Sequence, residues 1–72
     1  MKQEDIEINS ILYWNTTGAY NTNISLRCKV IDIGKVYIWI HVFGNLGPTP
    51  VSVNKLSKVP LYKVTNKNIK GE

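Results

Sequence analysis

The chain has 72 residues, of which 43% are hydrophobic, with a net charge of +4 and one cysteine. That length makes one domain, near the lower limit for folding without staples, and a lone Cys28 excludes an intramolecular disulfide framework. No apolar run reaches the length of a membrane span and the opening MKQEDIE lacks a signal-peptide pattern, so the expectation is a cytoplasmic protein with no membrane partner.

The charge is segregated along the chain. Residues 1–7 carry Glu4, Asp5 and Glu7 against Lys2, a balance of −2, whereas residues 8–71 carry eight Lys or Arg against Asp32 alone, a balance of +7. A basic body favours polyanionic partners, either nucleic acid or an acidic protein surface. A lysine-rich solubilising surface has the same composition.

Residues 1–7 read as a flexible acidic N-terminus. Ile6 and Ile8 alternate with Glu7 and Asn9, which predicts a short entry strand or extended lead-in. Ile11-Leu12-Tyr13-Trp14 is the first firm strand, with Leu12 and Trp14 continuing the inward face set by Ile8. Asn15 to Asn23, NTTGAYNTN, has the composition of a loop. It holds one aromatic, Tyr20, and a long first loop is a place for binding residues.

Residues 24–43, ISLRCKVIDIGKVYIWIHVF, alternate on both sides of a turn signal. Ile24, Leu26, Cys28 and Val30 share one face with Val36, Ile38, Ile40 and Val42. The other face holds Ser25, Arg27 and Lys29, then Tyr37, Trp39, His41 and Phe43. Period-2 alternation rich in β-branched residues predicts a hairpin with one buried face. A three-residue loop, Asp32-Ile33-Gly34, with Gly34 in the left-handed region, closes it. That register sets Val30 opposite Val36, Cys28 opposite Ile38 and Leu26 opposite Ile40.

Gly44-Asn45-Leu46-Gly47-Pro48-Thr49-Pro50 breaks the strand. Val51-Ser52-Val53-Asn54 follows as a short fourth strand with two inward valines. Leu56 and Val59, three apart, suit a single 3-10 turn that stops before Pro60. Leu61-Tyr62-Lys63-Val64 is a closing strand, and residues 65–72 read as a flexible basic tail.

This succession resembles the SH3-like small barrels, the group that includes Tudor and KOW-type modules, over residues 8–64. The carrying stretches are Leu12–Trp14, Cys28–Ile40, Pro50–Val53 and Leu56–Val59. The resemblance implies an all-β, five-stranded SH3-like barrel with a single 3-10 turn before the last strand. Such modules bind peptides, modified side chains or nucleic acids, commonly with aromatics near the first long loop and the following hairpin. The matching positions here are Tyr13, Trp14, Tyr20, Tyr37, Trp39 and Phe43. The acidic residues that peptide-binding SH3 domains carry in that loop are absent from residues 15–23, which argues against proline-rich ligands.

On the outward hairpin face the expected register pairs Lys29 with Tyr37, Arg27 with Trp39 and Ser25 with His41. Cations interleaved with rings make a platform for single-stranded nucleic acid, the rings stacking on bases and the cations meeting phosphates. Arg27, Lys29, Tyr37 and Trp39 would carry it, with Tyr20, Lys55 and Lys58 as additions. The alternative is a protein-interaction module, an adaptor or inhibitor of the kind a phage or mobile element encodes. Its apolar patch would be Trp14, Tyr37, Trp39 and Phe43, and a homo-oligomer is one form it would take. No catalytic or cofactor set is legible. Cys28 and His41 fall on opposite faces, one His and one Cys make no metal set, and the Gly44–Pro48 stretch lacks the lysine and helix of a phosphate-binding loop. The expectation is a non-enzyme without cofactor.

Overall fold

The alternation of residues 24–43 becomes two adjacent strands of a curled, all-β half-barrel. The structure is a computed structural model and describes residues 2–45 and 47–66. Its strands are β1 (Ile11–Thr17), β2 (Asn23–Ile33), β3 (Ile38–Val42), β4 (Thr49–Val51), β5 (Leu56–Ser57) and β6 (Lys63–Val64). Single 3-10 turns occupy Gln3–Asp5 and Val53–Lys55, and a tight turn at Ala19–Asn21 joins β1 to β2. No helix among the described residues is long and apolar enough to cross a membrane.

The sheet runs β4-β3-β2-β1-β5, each neighbouring pair antiparallel. β2 is long enough to serve three partners. β1 runs along one edge, β3 pairs with Cys28 to Ile33, and β6 lies parallel beside Ile24 and Ser25. The buried core is Cys28, Val30, Ile38, Ile40 and Val42 with Ile6, Leu12, Val51 and Leu56. Of the inward set predicted from alternation, Cys28, Val30, Ile38, Ile40 and Val42 are buried and Leu26 packs against them, whereas Ile24 is only half-buried and Val36 is exposed.

The register differs from the expected one. Cys28 lies opposite Val42, Lys29 opposite His41 and Val30 opposite Ile40. A bulge at Ile31 then sets Asp32 opposite Trp39 and Ile33 opposite Ile38. The connection is Gly34-Lys35-Val36-Tyr37, with the Gly34 amide donating to the Tyr37 carbonyl at 2.9 Å. Gly34 is not in the left-handed region. It is needed for space, since a Cβ there would sit 2.9 Å from the Tyr37 carbonyl oxygen.

The first loop is shorter than its composition suggested. Thr16 and Thr17 pair with Ile24 and Asn23, so the ladder extends until only residues 18–22 remain. Tyr20 (φ 57°, ψ 30°) and Asn21 (φ 56°) are both left-handed, as a type I′ hairpin turn requires. The Thr22 amide closes it on the Ala19 carbonyl at 3.2 Å.

The N-terminal segment is anchored rather than free. Ile6 is buried in the place expected for Ile8, which is 53% exposed. A left-handed Asn9 (φ 73°) follows Ile8, and its amide donates to the Val30 carbonyl at 2.7 Å. Gln3 donates its side-chain amide to the Gly34 carbonyl.

At the other end, the valine pair splits. Val51 ends β4, whereas Val53 opens the 3-10 turn, three residues earlier than the spacing of Leu56 and Val59 suggested. Leu56 and Ser57 instead pair with Trp14 and Tyr13 as β5. The closing strand shrinks to Lys63–Val64. The expected basic tail starts within ordered structure, because Asn66 is buried and bonded. Lys67 and Lys70 of that tail lie outside the described residues.

Candidate functional site

Registers fix which side chains stand in rows across the outer face, because period-2 strands align every second residue. The first row is Pro50, Trp39 and Asp32, on β4, β3 and β2. The second is His41, Lys29 and Ile11, on β3, β2 and β1. The third is Phe43, Arg27 and Tyr13; Arg27 and Tyr13 are paired, and the Phe43 amide bonds the Arg27 carbonyl at 3.2 Å.

The first row is the open one. Trp39 is 37% exposed and Tyr37 52%, with exposed Val36, Ile31 and Pro50 around them. The indole leans along the turn, its Nε1 being 3.8 Å from where a Gly34 Cβ would stand. The charge facing Trp39 across the strands is Asp32, not Arg27. Asp32 is the only acid among residues 8–71, and its Oδ1 accepts the Ile33 amide at 2.8 Å.

In the second row His41 Nε2 donates to the Asn45 carbonyl, 3.0 Å away. Its ring meets Phe43 edge-on at 6.1 Å between centroids. Lys29 stands between His41 and Ile11 and is half-buried.

The third row is committed to the fold. Phe43 is 1% exposed, which removes it from any surface patch. Arg27 stacks its guanidinium 5.0 Å from the Phe43 centroid. Asn66 seals the row: its Oδ1 accepts the Arg27 amide at 2.7 Å, and its Nδ2 donates to the Arg27 and Phe43 carbonyls at 3.0 Å each. Beyond it, Asn15 and Ser25 are buried on the same face. The Ser25 hydroxyl donates to Asn15 Oδ1 at 2.6 Å and accepts the Tyr62 amide at 3.0 Å. Asn15 Nδ2 donates to the Ser57 hydroxyl at 2.9 Å. Segment 57–66 is thus strapped over this end of the sheet by polar bonds.

The predicted site residues scatter accordingly. Trp39, Tyr37 and Lys29 share the hairpin's outer end. Arg27 lies in the sealed row, and Tyr20, fully exposed, caps the opposite end of β2. Lys55 closes the 3-10 turn between β4 and β5. Lys58 borders a depression of about 410 Å³ with Asp5, Glu7, Ser10, Ile11 and Leu12, so it faces acids instead of extending a basic platform. Trp14 packs against the core. Asp32, His41 and Pro50 were not among the predicted residues. Only the bulge and the longer turn bring them to the rows, and neither leaves a mark in the alternation.

The one thiol is unsuited to nucleophilic work. Cys28 is buried, bonded to the Leu12 carbonyl at 3.4 Å, and burial pushes its pKa up to about 12. His41 points to the opposite face, since its neighbour Val42 is the residue that pairs with Cys28. Among the described residues no group of three His, Cys, Asp or Glu could hold a metal ion. Comparison with protein-family models, curated proteins and solved structures finds no match to the chain.

Proposed function

We propose that the chain is a small, non-catalytic protein-interaction module of the SH3-like class, working through the outer end of the β2–β3 hairpin. Support for the class comes from the sequence of elements. A four-strand meander is followed by a 3-10 turn and a short β5 that returns to β1. Cytoplasmic location stays part of the proposal on the composition argument alone.

The observation that carries the interaction reading is the Pro50-Trp39-Asp32 row. Stacking on single-stranded nucleic acid needs cations beside the rings. Here a carboxylate and a proline flank the indole, while Arg27 is stacked on Phe43. Partly exposed Trp and Tyr ringed by Val36, Ile31 and Pro50 have the make-up of a protein hot spot. The net charge of +4 favours a second reading, nucleic-acid binding, with Lys29 and Lys35 meeting phosphates.

Titration with mixed-sequence single-stranded DNA and RNA, followed by tryptophan fluorescence, separates the two. The interaction reading predicts no saturable quenching at low salt. Quenching that weakens steeply as salt rises, and disappears in Lys29→Glu, would establish the second reading instead.

A further inference from the structure

We infer that the partner of this surface is a second copy of the chain, docked face to face about a two-fold axis that lies between the first two rows. The inference rests on the protein-interaction reading above and names its occupant. An isologous interface must be self-complementary, because each patch meets its own image. The first two rows meet that condition. One carries Asp32 beside Trp39, and the next carries Lys29 beside His41.

An axis running parallel to the rows, midway between them, lays β2 on β2 and β3 on β3. Asp32 then faces Lys29 of the second copy, and Trp39 faces His41 of the second copy. The contact occurs twice, once on each side of the axis. Turned by a right angle, the axis would set Asp32 against Pro50 and leave the charges unmatched. The apolar surroundings fit the same arrangement, with Ile31 and Pro50 beside one row and Ile11 beside the other, all three exposed. The occupant is not a polyanion, which would be repelled by Asp32 at the centre. Size adds a reason: a core from so short a chain is small, and association is a common supplement.

Reciprocal charge reversal tests the pairing. Asp32→Lys places two cations on each patch and Lys29→Asp places two acids, so each variant alone repels its own copy. Mixed together they restore both pairs. Sedimentation velocity should show a concentration-dependent dimer for the unmodified chain. Self-association should weaken by at least about tenfold in each variant and return on mixing the two. Recovery on mixing also excludes misfolding as the cause of the loss, since a misfolded chain cannot be rescued by its counterpart.

A dimer insensitive to both substitutions would overturn these rows as the interface. Two variants that stay monomeric together would overturn the Asp32–Lys29 pairing. A strictly monomeric unmodified chain would overturn self-association itself. In that last case, tryptophan quenching by oligonucleotide would remove the interaction reading as well, whereas its absence would leave that reading in need of a different partner.

Discussion

The β1–β2 turn carries the wrong residue for its own geometry at Tyr20, and correcting it should stabilise the protein. Tyr20 and Asn21 both sit at positive φ, where an L-residue with a Cβ is strained by roughly 1–2 kcal/mol, Asn and Gly being the exceptions. The Tyr20 ring is 99% exposed, so truncating it removes no packing. Replacing the pair by Asn-Gly (Tyr20→Asn with Asn21→Gly) keeps the closing bond from the Thr22 amide to the Ala19 carbonyl and relieves the strain. Each kcal/mol is worth about 4–8 °C in a domain this small, so a gain near 1 kcal/mol should raise the midpoint by roughly that amount. Thermal and urea unfolding, followed by tryptophan fluorescence and far-ultraviolet circular dichroism, would read it. An unchanged or lowered midpoint would refute the reasoning, because it would mean that the Tyr20 ring has a partner or that the turn is not type I′.

Other perturbations follow from the same contacts. Asn66→Ala strips partners from the Arg27 amide and two carbonyls, and should cost about 1–3 kcal/mol in urea unfolding. Gly34→Ala forces a Cβ against the Tyr37 carbonyl oxygen. It should destabilise by roughly 1–3 kcal/mol, with a shifted Trp39 emission because the indole leans on that turn. Cys28 gives a pH signature. Its thiol ordinarily titrates at 9.0, and burial raises that to about 12. Above pH 9 the unfolded chain loses this proton while the folded chain keeps it, so stability falls as pH rises from 9 towards 12 and is unaffected below. The full effect is roughly 4 kcal/mol. It should be missing from the Cys28→Ala profile, and alkylation of Cys28 at pH 8 should require denaturant.

Half of this architecture was legible because alternation reports faces. Cys28, Val30, Ile38, Ile40 and Val42 all turned inward as their spacing predicts. Alternation does not report register. Moving Cys28 from Ile38 to Val42 is an even shift, which leaves every side chain on its face while replacing all of its neighbours. The Arg27–Trp39 and Lys29–Tyr37 pairs were lost in this way. Trp39 gained Asp32 only through the added bulge at Ile31. Phe43 shows a second limit. Its parity is outward, yet Arg27 stacks on it from β2 and Asn66, from the far end of the chain, bonds its carbonyl. Asn15, Ser25, Ser57 and Asn66 build that cover through side-chain bonds, and isolated polar residues carry no periodic signal that would bring them together. The left-handed Asn9 that follows Ile8 is likewise invisible in a hydrophobic pattern.

The interaction surface depends on which residue faces Trp39 across the hairpin, and interstrand nuclear Overhauser contacts in a labelled sample read this directly. Lys29–His41 and Val30–Ile40 contacts between backbone protons of β2 and β3 are expected, followed by Asp32–Trp39 beyond the bulge. Contacts from Arg27 to Trp39 and from Cys28 to Ile38 would instead restore the short-turn register. They would put the cations back beside the rings and contradict the interaction surface proposed for this protein.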